Sequence, residues 1–437
     1  MRNNSNSGLR PEVIADLFRA SGLKEKIFFT LMMIFIFRLG VHIPVAGLDS
    51  SKIAAMFGQG NLLGLIDMFS GGALSKFSVF AMGIIPYINS SIIIQLMTSV
   101  IPKLEELQKE GGEAGRKQIA QITRYLTIIL GTLQSTGMAI ALWRSDAVLG
   151  YPAAGSPPIM FIISTVMTLI AGTVFIMWMG EQITEKGIGQ GVSILIFVGI
   201  ISRFPSYFAN TAQAVESGST NWFSVSLLLL VFLSLIVGII FASEGARKIP
   251  VQSAKRQVGN KMYGGRSTYL PFRINQGGVM PIIFASSVLL FPATLGQFVK
   301  TGWLKDVSDA LNPSTNLYSI AYCALIFFFT FFYASLTMNP IEIANNLKRY
   351  GSFIPGYRPG RPTGEYLEAI LNRITLLGAL FISLIALIPM IAEKLLGVTT
   401  LQGLGSTALL IMVGVAIDLF NQMQTHLLAR QYDGFVK

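Results

Sequence analysis

The sequence predicts an all-α membrane protein of about ten transmembrane helices, with a re-entrant half-helix between the first two spans. Three observations predict it. Over 437 residues, 52% are hydrophobic and 13% charged, where a soluble chain carries about a quarter charged residues. Runs such as 27–37, 227–240 and 319–336 hold no charge and approach the roughly 20 residues that cross a bilayer. Between such runs the chain is polar and basic, the alternation of a multi-spanning helical protein.

Residues 1–26 read as a cytoplasmic segment, not a cleavable signal peptide. Within it, 9–23 fits a short amphipathic helix: Pro11 suits the first turn, and Val13, Ile14, Leu17 and Phe18 form an apolar stripe. Arg10, Arg19, Lys24 and Lys26 favour an anionic membrane surface. Spans are expected at 27–45, 76–101, 120–142, 158–180, 188–207, 222–242, 277–295, 316–338, 369–392 and 399–420. Residues 61–74 are apolar but too short to cross, and Gly71-Gly72 breaks them, as in a re-entrant half-helix.

Lys and Arg gather in the N-terminal segment, in the loops after spans two, four, six and eight, and in the tail. They number about 23 there against about 7 on the opposite side, which puts both termini in the cytoplasm. Arg38, Arg124 and Arg373 lie near span ends, from where they can snorkel to an interface. A five-plus-five division gives a first half 27–207, a hinge loop 208–221, a second half 222–420 and a tail 421–437. An odd number of crossings then forces the halves to be inverted, and the division is a topological inference.

Several function classes lose ground on residue content. Cys323 is the single cysteine, and His42 and His426 are the only histidines, too few for a standard zinc site. There is no P-loop, HExxH or GxSxG. Gly187-Ile188-Gly189-Gln190-Gly191 has a dinucleotide-loop spacing, but no strand precedes it, and close helix packing explains it better. No cofactor, metal or enzymatic activity is expected. An intramembrane hydrolase would need a Ser–His or Asp pair inside the spans. A solute transporter would favour charges at mid-span. No Asp or Glu lies there, although backbone carbonyls can also hold Na⁺.

Pro86 and Pro281 fall inside the second and seventh spans, where a proline removes a helix hydrogen bond and can kink or weaken the helix. Asn89, Ser90, Ser91 and Gln95 on one, and Ser286 and Ser287 on the other, need polar partners in lipid. A seam closed by such bonds is weak, at about 0.6 kcal/mol each. Ordinary helix–helix glue would use the same residues. In the long basic loop 243–276, residues 249–251 and 268–274 fit strands of a hairpin around Gly264-Gly265. The loop 339–368 is turn-rich and carries Lys348, Arg349 and Arg358. Cationic loops suit RNA phosphates or an acidic protein face. Topology alone also explains their charge.

A set of motifs, in order along the chain, resembles the SecY family of protein-conducting channels. They include Phe37-Arg38-Leu39-Gly40 with Ile43-Pro44, Met68-Phe69-Ser70-Gly71-Gly72-Ala73-Leu74-Ser75, and Gly83-Ile84-Ile85-Pro86-Tyr87-Ile88. Later come Gly180-Glu181-Gln182-Ile183-Thr184-Glu185-Lys186-Gly187-Ile188-Gly189, Ala254-Lys255-Arg256-Gln257, Leu290-Phe291-Pro292-Ala293-Thr294 and Pro355-Gly356-Tyr357-Arg358-Pro359-Gly360. The resemblance runs from about residue 20 to the end.

It implies a clamshell through which an unfolded polypeptide passes, or from which it leaves sideways into lipid. The implied pore ring is Ile84, Ile88, Val192, Ile196, Ile283 and Ile411, with Val192 departing from the family's isoleucine. The implied plug is about 61–74, including Leu63, Ile66, Met68, Phe69, Ser70, Gly71 and Gly72. The lateral gate falls on spans two and seven at Asn89, Ser91, Gln95, Ser286, Ser287 and Phe291. Partner docking falls on Arg247, Lys248, Lys255, Arg256, Lys348, Arg349 and Arg358.

The implied partners are SecE- and SecG-type small membrane subunits, the SecA motor ATPase, the ribosome and its RNA, signal sequences and nascent chains, and membrane lipid. The implied location is a bacterial inner membrane, or an internal membrane such as a thylakoid. The ring assignment has a physical logic. Branched aliphatics bind no passing side chain strongly, and a narrow belt of them excludes water. Ile84 with Ile88, and Val192 with Ile196, share helix faces by their spacing. Branched residues fill most spans, so spacing alone fits plain packing equally well.

Overall fold

The computed structural model describes residues 23–49, 52–53, 67–149, 158–253, 256–258, 261–263, 267–298, 310–311, 315–398 and 406–433. Each predicted span overlaps one described helix. These are α1 (Leu23–Gly40), α2 (Ile85–Val100), α4 (Gly112–Arg144), α5 (Ile159–Lys186), α6 (Gly191–Glu216), α7 (Trp222–Glu244), α8 (Met280–Phe298), α9 (Asn316–Thr337), α11 (Arg361–Leu396) and α12 (Ser406–Asp433). Two short helices, α3 (Pro102–Lys109) and α10 (Pro340–Arg349), lie in the loops. By length and composition seven described helices can cross a membrane, or eight if α2 and α3, bent by 101° at their junction, are one span.

The described residues form two compact units. One is drawn from Met1–Gln213, Leu290–Pro313 and Val415–Lys437, the other from Ala214–Leu289 and Ser314–Gly414. In the first, α4 packs along α2 and α5, and α5 also touches α1. Leu23 and Ile188 are buried together with Ile27, Leu419 and Met423 around them. The Ile188 N–H donates to Thr30 Oγ1 at 3.2 Å. The exposed Arg124 guanidinium donates to both carboxylate oxygens of Glu181, at 2.9 and 2.8 Å, linking α4 to α5. In the second unit α11 packs against α7, α9 and α10.

Several expected boundaries move, for local reasons. The second span starts as helix at Ile85, not at 76, because 67–84 is turn-rich and carries positive φ at Phe77 and Gly83. Pro86 and Pro281 therefore sit in the first turns of α2 and α8. There the missing N–H is no loss, so neither kinks its helix. Among the described residues, the prolines inside helices are Pro205, Pro292 and Pro389. The first span's helix stops at Gly40, short of the expected 45. The hinge loop 208–221 shrinks to 217–221, since α6 runs on to Glu216 and Asn221 caps α7. At its other end α2 stops before Ile101, held extended by the following Pro102.

Between the helices, the second unit's basic loops carry two small sheets, and the expected strands at 249–251 and 268–274 overlap them. In the first, β1 (Ala246–Ser253) pairs antiparallel with β4 (Ser267–Arg273), Ile249 opposite Leu270, and with β5 (Ser352–Phe353) on its other edge. Inside that hairpin β2 (Arg256–Val258) pairs with β3 (Lys261–Tyr263). Gly264-Gly265 lie outside the described residues. Ile249, Val251 and Phe272 point inward onto Leu367, Ile370, Leu371 and Ile374, one stripe of α11. The sheet thus ties loop 243–276 to loop 339–368 and seats both on a membrane-length helix.

Close backbone approach makes one testable difference between glycines. A Cβ at Gly378 on α11 would collide with the Ile274 carbonyl oxygen, whereas one at Gly238 on α7 would meet only Phe381 Cζ at 3.7 Å. Gly378→Ala is expected to destabilise by about 1–3 kcal/mol. Gly238→Ala is expected to be neutral or to gain up to about 1 kcal/mol of helix propensity. Melting curves in detergent read both, and equal shifts would remove close packing as the reason for Gly378.

Candidate functional site

The aliphatic ring positions are buried. Ile84, Ile88, Ile196, Ile283 and Ile411 are at most 4% exposed, and Val192 is half-buried. In the first unit Gly180 draws two of them together: a Cβ there would stand 3.5 Å from Val192 Cγ2 and 3.7 Å from Ile84 Cδ1. In the second unit, Gly414 of α12 lies directly against Val279 at the start of α8. Each is about one turn from a ring position, Ile411 and Ile283.

Of the residues expected to form a plug, Leu63 and Ile66 lie outside the described residues, while Met68, Phe69, Ser70, Gly71 and Gly72 are all buried. A short helical stretch at 67–69 turns sharply at Gly71 (φ +69°) and Gly72 (φ +89°), a conformation that favours glycine. The turn rests on α6, where a Cβ at Gly71 would meet Gly199 Cα at 2.9 Å. Sequence reasoning missed what holds it. Asp67 forms an ion pair with Arg203 and is 1% exposed. Its Oδ1 also accepts from the Ser75 N–H at 2.7 Å. Arg203 donates to Ser75 Oγ at 3.1 Å. Arg38 was expected to snorkel. Instead its Nη1 donates to the Gly71 carbonyl at 3.0 Å and to Ser202 Oγ at 2.9 Å. The available signal was a basic residue at the end of each of two spans and one acid beside the glycine pair.

Five of the six expected gate positions are polar, and three of them bond inside their own helices. Gln95 Nε2 donates to Ser91 Oγ at 3.2 Å, and Ser286 Oγ donates to the Ile283 carbonyl at 2.9 Å. Asn89 is buried, and its Nδ2 has no partner among the described residues. Ser287 is buried, and Phe291 lies on α8. One short sequence repeat relates the starts of the second and seventh spans. Gly83-Ile84-Ile85-Pro86 opens α2 as Gly278-Val279-Met280-Pro281 opens α8, with Ser91 matching Ser286. Both glycines adopt left-handed φ, +56° and +58°.

The residues expected to dock partners lie in the second unit's basic loops. Arg247 and Lys248 are exposed on β1, and Lys348 and Arg349 are exposed at the end of α10. Arg256 lies on β2, and Lys255 lies outside the described residues. Arg358 is exposed on a braced loop. Tyr357 stacks on Tyr366 with ring centroids 3.9 Å apart, Thr363 Oγ1 donates to the Arg358 carbonyl at 2.7 Å, and Ile354 is buried beneath.

With this geometry in place, known proteins offer direct comparison. A family model described as SecY matches residues 78–420. The protein translocase subunit SecY of Synechocystis sp. is 45% identical over 436 residues, covering 98% of this chain and 97% of the relative. That of Aquifex aeolicus is 42% identical over 428 residues, covering 98% and 99%. Among solved structures, one described as "The structure of a protein conducting channel" superposes with a TM-score of 0.66 at 15% identity, covering 94% of this chain and 96% of that one. Sec61 in a canine ribosome-channel complex gives 0.63 at 14% identity, with the same coverage. At such identities these two structures speak to the fold alone.

Proposed function

Because this chain belongs to the SecY family, we propose that it is the pore subunit of a Sec translocase. It conducts unfolded polypeptides across a membrane and releases transmembrane segments sideways into lipid. The supporting observation is the set of buried aliphatic side chains at the positions the family uses for its waist. Such a belt can pass any side chain and still shed water when closed. Residues 61–74 act as the plug, and α2 and α8 as the gate. The termini and the basic sheet face the cytoplasm of a bacterial-type inner membrane. There the sheet docks a SecA-type motor and the ribosome, and small SecE- and SecG-type subunits complete the channel. No nucleotide motif is present in the chain, so the motor, a translating ribosome or the membrane potential supplies the energy.

A photo-crosslinking residue tests the conduit. Placed at Ile84, it is expected to label a preprotein stalled during transport into vesicles. At Ile93, which is 36% exposed elsewhere on α2, it is expected to label lipid instead. Equal labelling of the preprotein from both positions would move the path away from the aliphatic set.

A further inference from the structure

We propose that Asp67 is an electrostatic latch on the plug, that Arg203 is its keeper, and that the pair sets how strong a signal sequence must be to open the channel. The proposal rests on the plug reading above. Asp67 is a carboxylate in an almost closed environment, with its side chain 2% exposed. A buried charge is tolerable only when paired and hydrogen-bonded. Both conditions hold here through Arg203 and the Ser75 N–H.

The keeper is built into place. Arg203 lies across the neck so closely that a Cβ at Gly72 would stand 3.3 Å from its Nε. Arg38, from a different helix, grips the same turn through the Gly71 carbonyl and is itself tied to Ser202, the neighbour of Arg203. The turn also closes on itself: the Gly72 N–H donates to the Asp67 carbonyl at 2.9 Å and the Leu74 N–H to Ser70 Oγ at 3.2 Å. Lifting the segment off α6 therefore separates one defined ion pair and leaves a carboxylate and a guanidinium unpaired. A contact made only in the closed state biases the two-state equilibrium toward closure. Its strength is a threshold that an incoming signal sequence must overcome.

The test uses the full chain reconstituted with its partner subunits and motor. It compares Arg203→Gln, Arg203→Lys, Asp67→Asn, the double variant Asp67→Asn/Arg203→Gln, and a deletion of residues 61–66. The readouts are transport of a preprotein whose signal sequence carries a disabling charge, transport of the intact preprotein, and the melting temperature. Breaking a buried pair is expected to raise transport of the defective preprotein at least about tenfold in Arg203→Gln, with the intact preprotein unaffected. Arg203→Lys keeps the charge and should stay near the parent. The double variant should resemble the single variants rather than sum them, the signature of a pairwise contact. Unchanged stringency in Arg203→Gln, with the deletion relaxing it, would overturn the latch and leave the plug standing. No effect from either would overturn both. Relaxed stringency that tracks lost melting temperature and is not restored by Lys would make Arg203 merely structural and also overturn the latch.

Discussion

Replacing Ile84 and Ile283 together by Asn is expected to raise the resting ion conductance of the channel in planar bilayers by at least about tenfold. Two unpaired buried amides cost about 1–3 kcal/mol each, which water entering the waist would relieve. Both side chains are nearly inaccessible, at 3% and 2%. A seal made of such side chains would depend on excluding water rather than on any bond, so two polar substitutions attack what holds it shut. Preproteins with weakened signals are expected to pass more readily through the same variant. The paired control is Ile84→Val/Ile283→Val, which shortens each side chain by one methylene and stays apolar. Val192 already shows that valine is accommodated at such a position, and this control is expected to remain sealed. An unchanged leak in the Asn variant would take these two residues out of the seal.

Arg358→Glu is expected to cut motor-driven transport of a preprotein into vesicles by a factor of about 10 to 100, because like charges facing one another across a docking surface cost several kcal/mol. The fold should be indifferent. Arg358 is exposed, and what braces its loop is the Tyr357–Tyr366 stack, the Thr363 bond to the Arg358 main chain and buried Ile354, none of which uses the guanidinium. An exposed substitution of this kind shifts stability by only about 0.5 kcal/mol. The melting curve in detergent should therefore barely move. Arg358→Lys is expected to be intermediate, since an ammonium keeps the charge but loses the planar fork that meets a carboxylate or phosphate with two bonds. Full transport by the Glu variant would end the docking role. Transport and stability lost together would instead mean an arginine that pairs within the loop.

Much of this molecule is legible in the chain because the relevant properties are local. The apolar runs 227–240 and 319–336 announce α7 and α9 through composition alone. The alternation around Ile249 and Val251 announces a strand through its period. The shared faces of Ile84 with Ile88 and Val192 with Ile196 follow from helical geometry. Boundaries were less legible, since Pro86 reads as a helix breaker or a helix starter depending on where the turn at Gly83 falls.

What only the tertiary structure decided are the contacts between residues distant in sequence. Nothing in the local pattern around Arg38 distinguishes a side chain that reaches an interface from one that grips Gly71, 33 residues on, and Ser202, 164 residues on. The Ser352–Phe353 strand is too short to carry a period, and it exists because β1 offers it an edge. In the sequence Asp67 is a lone acid four residues before a glycine pair, and Arg203 a lone basic residue near the end of an apolar run. Desolvation makes them one unit: a carboxylate folded into that turn has to find a cation, and α6 presents one there.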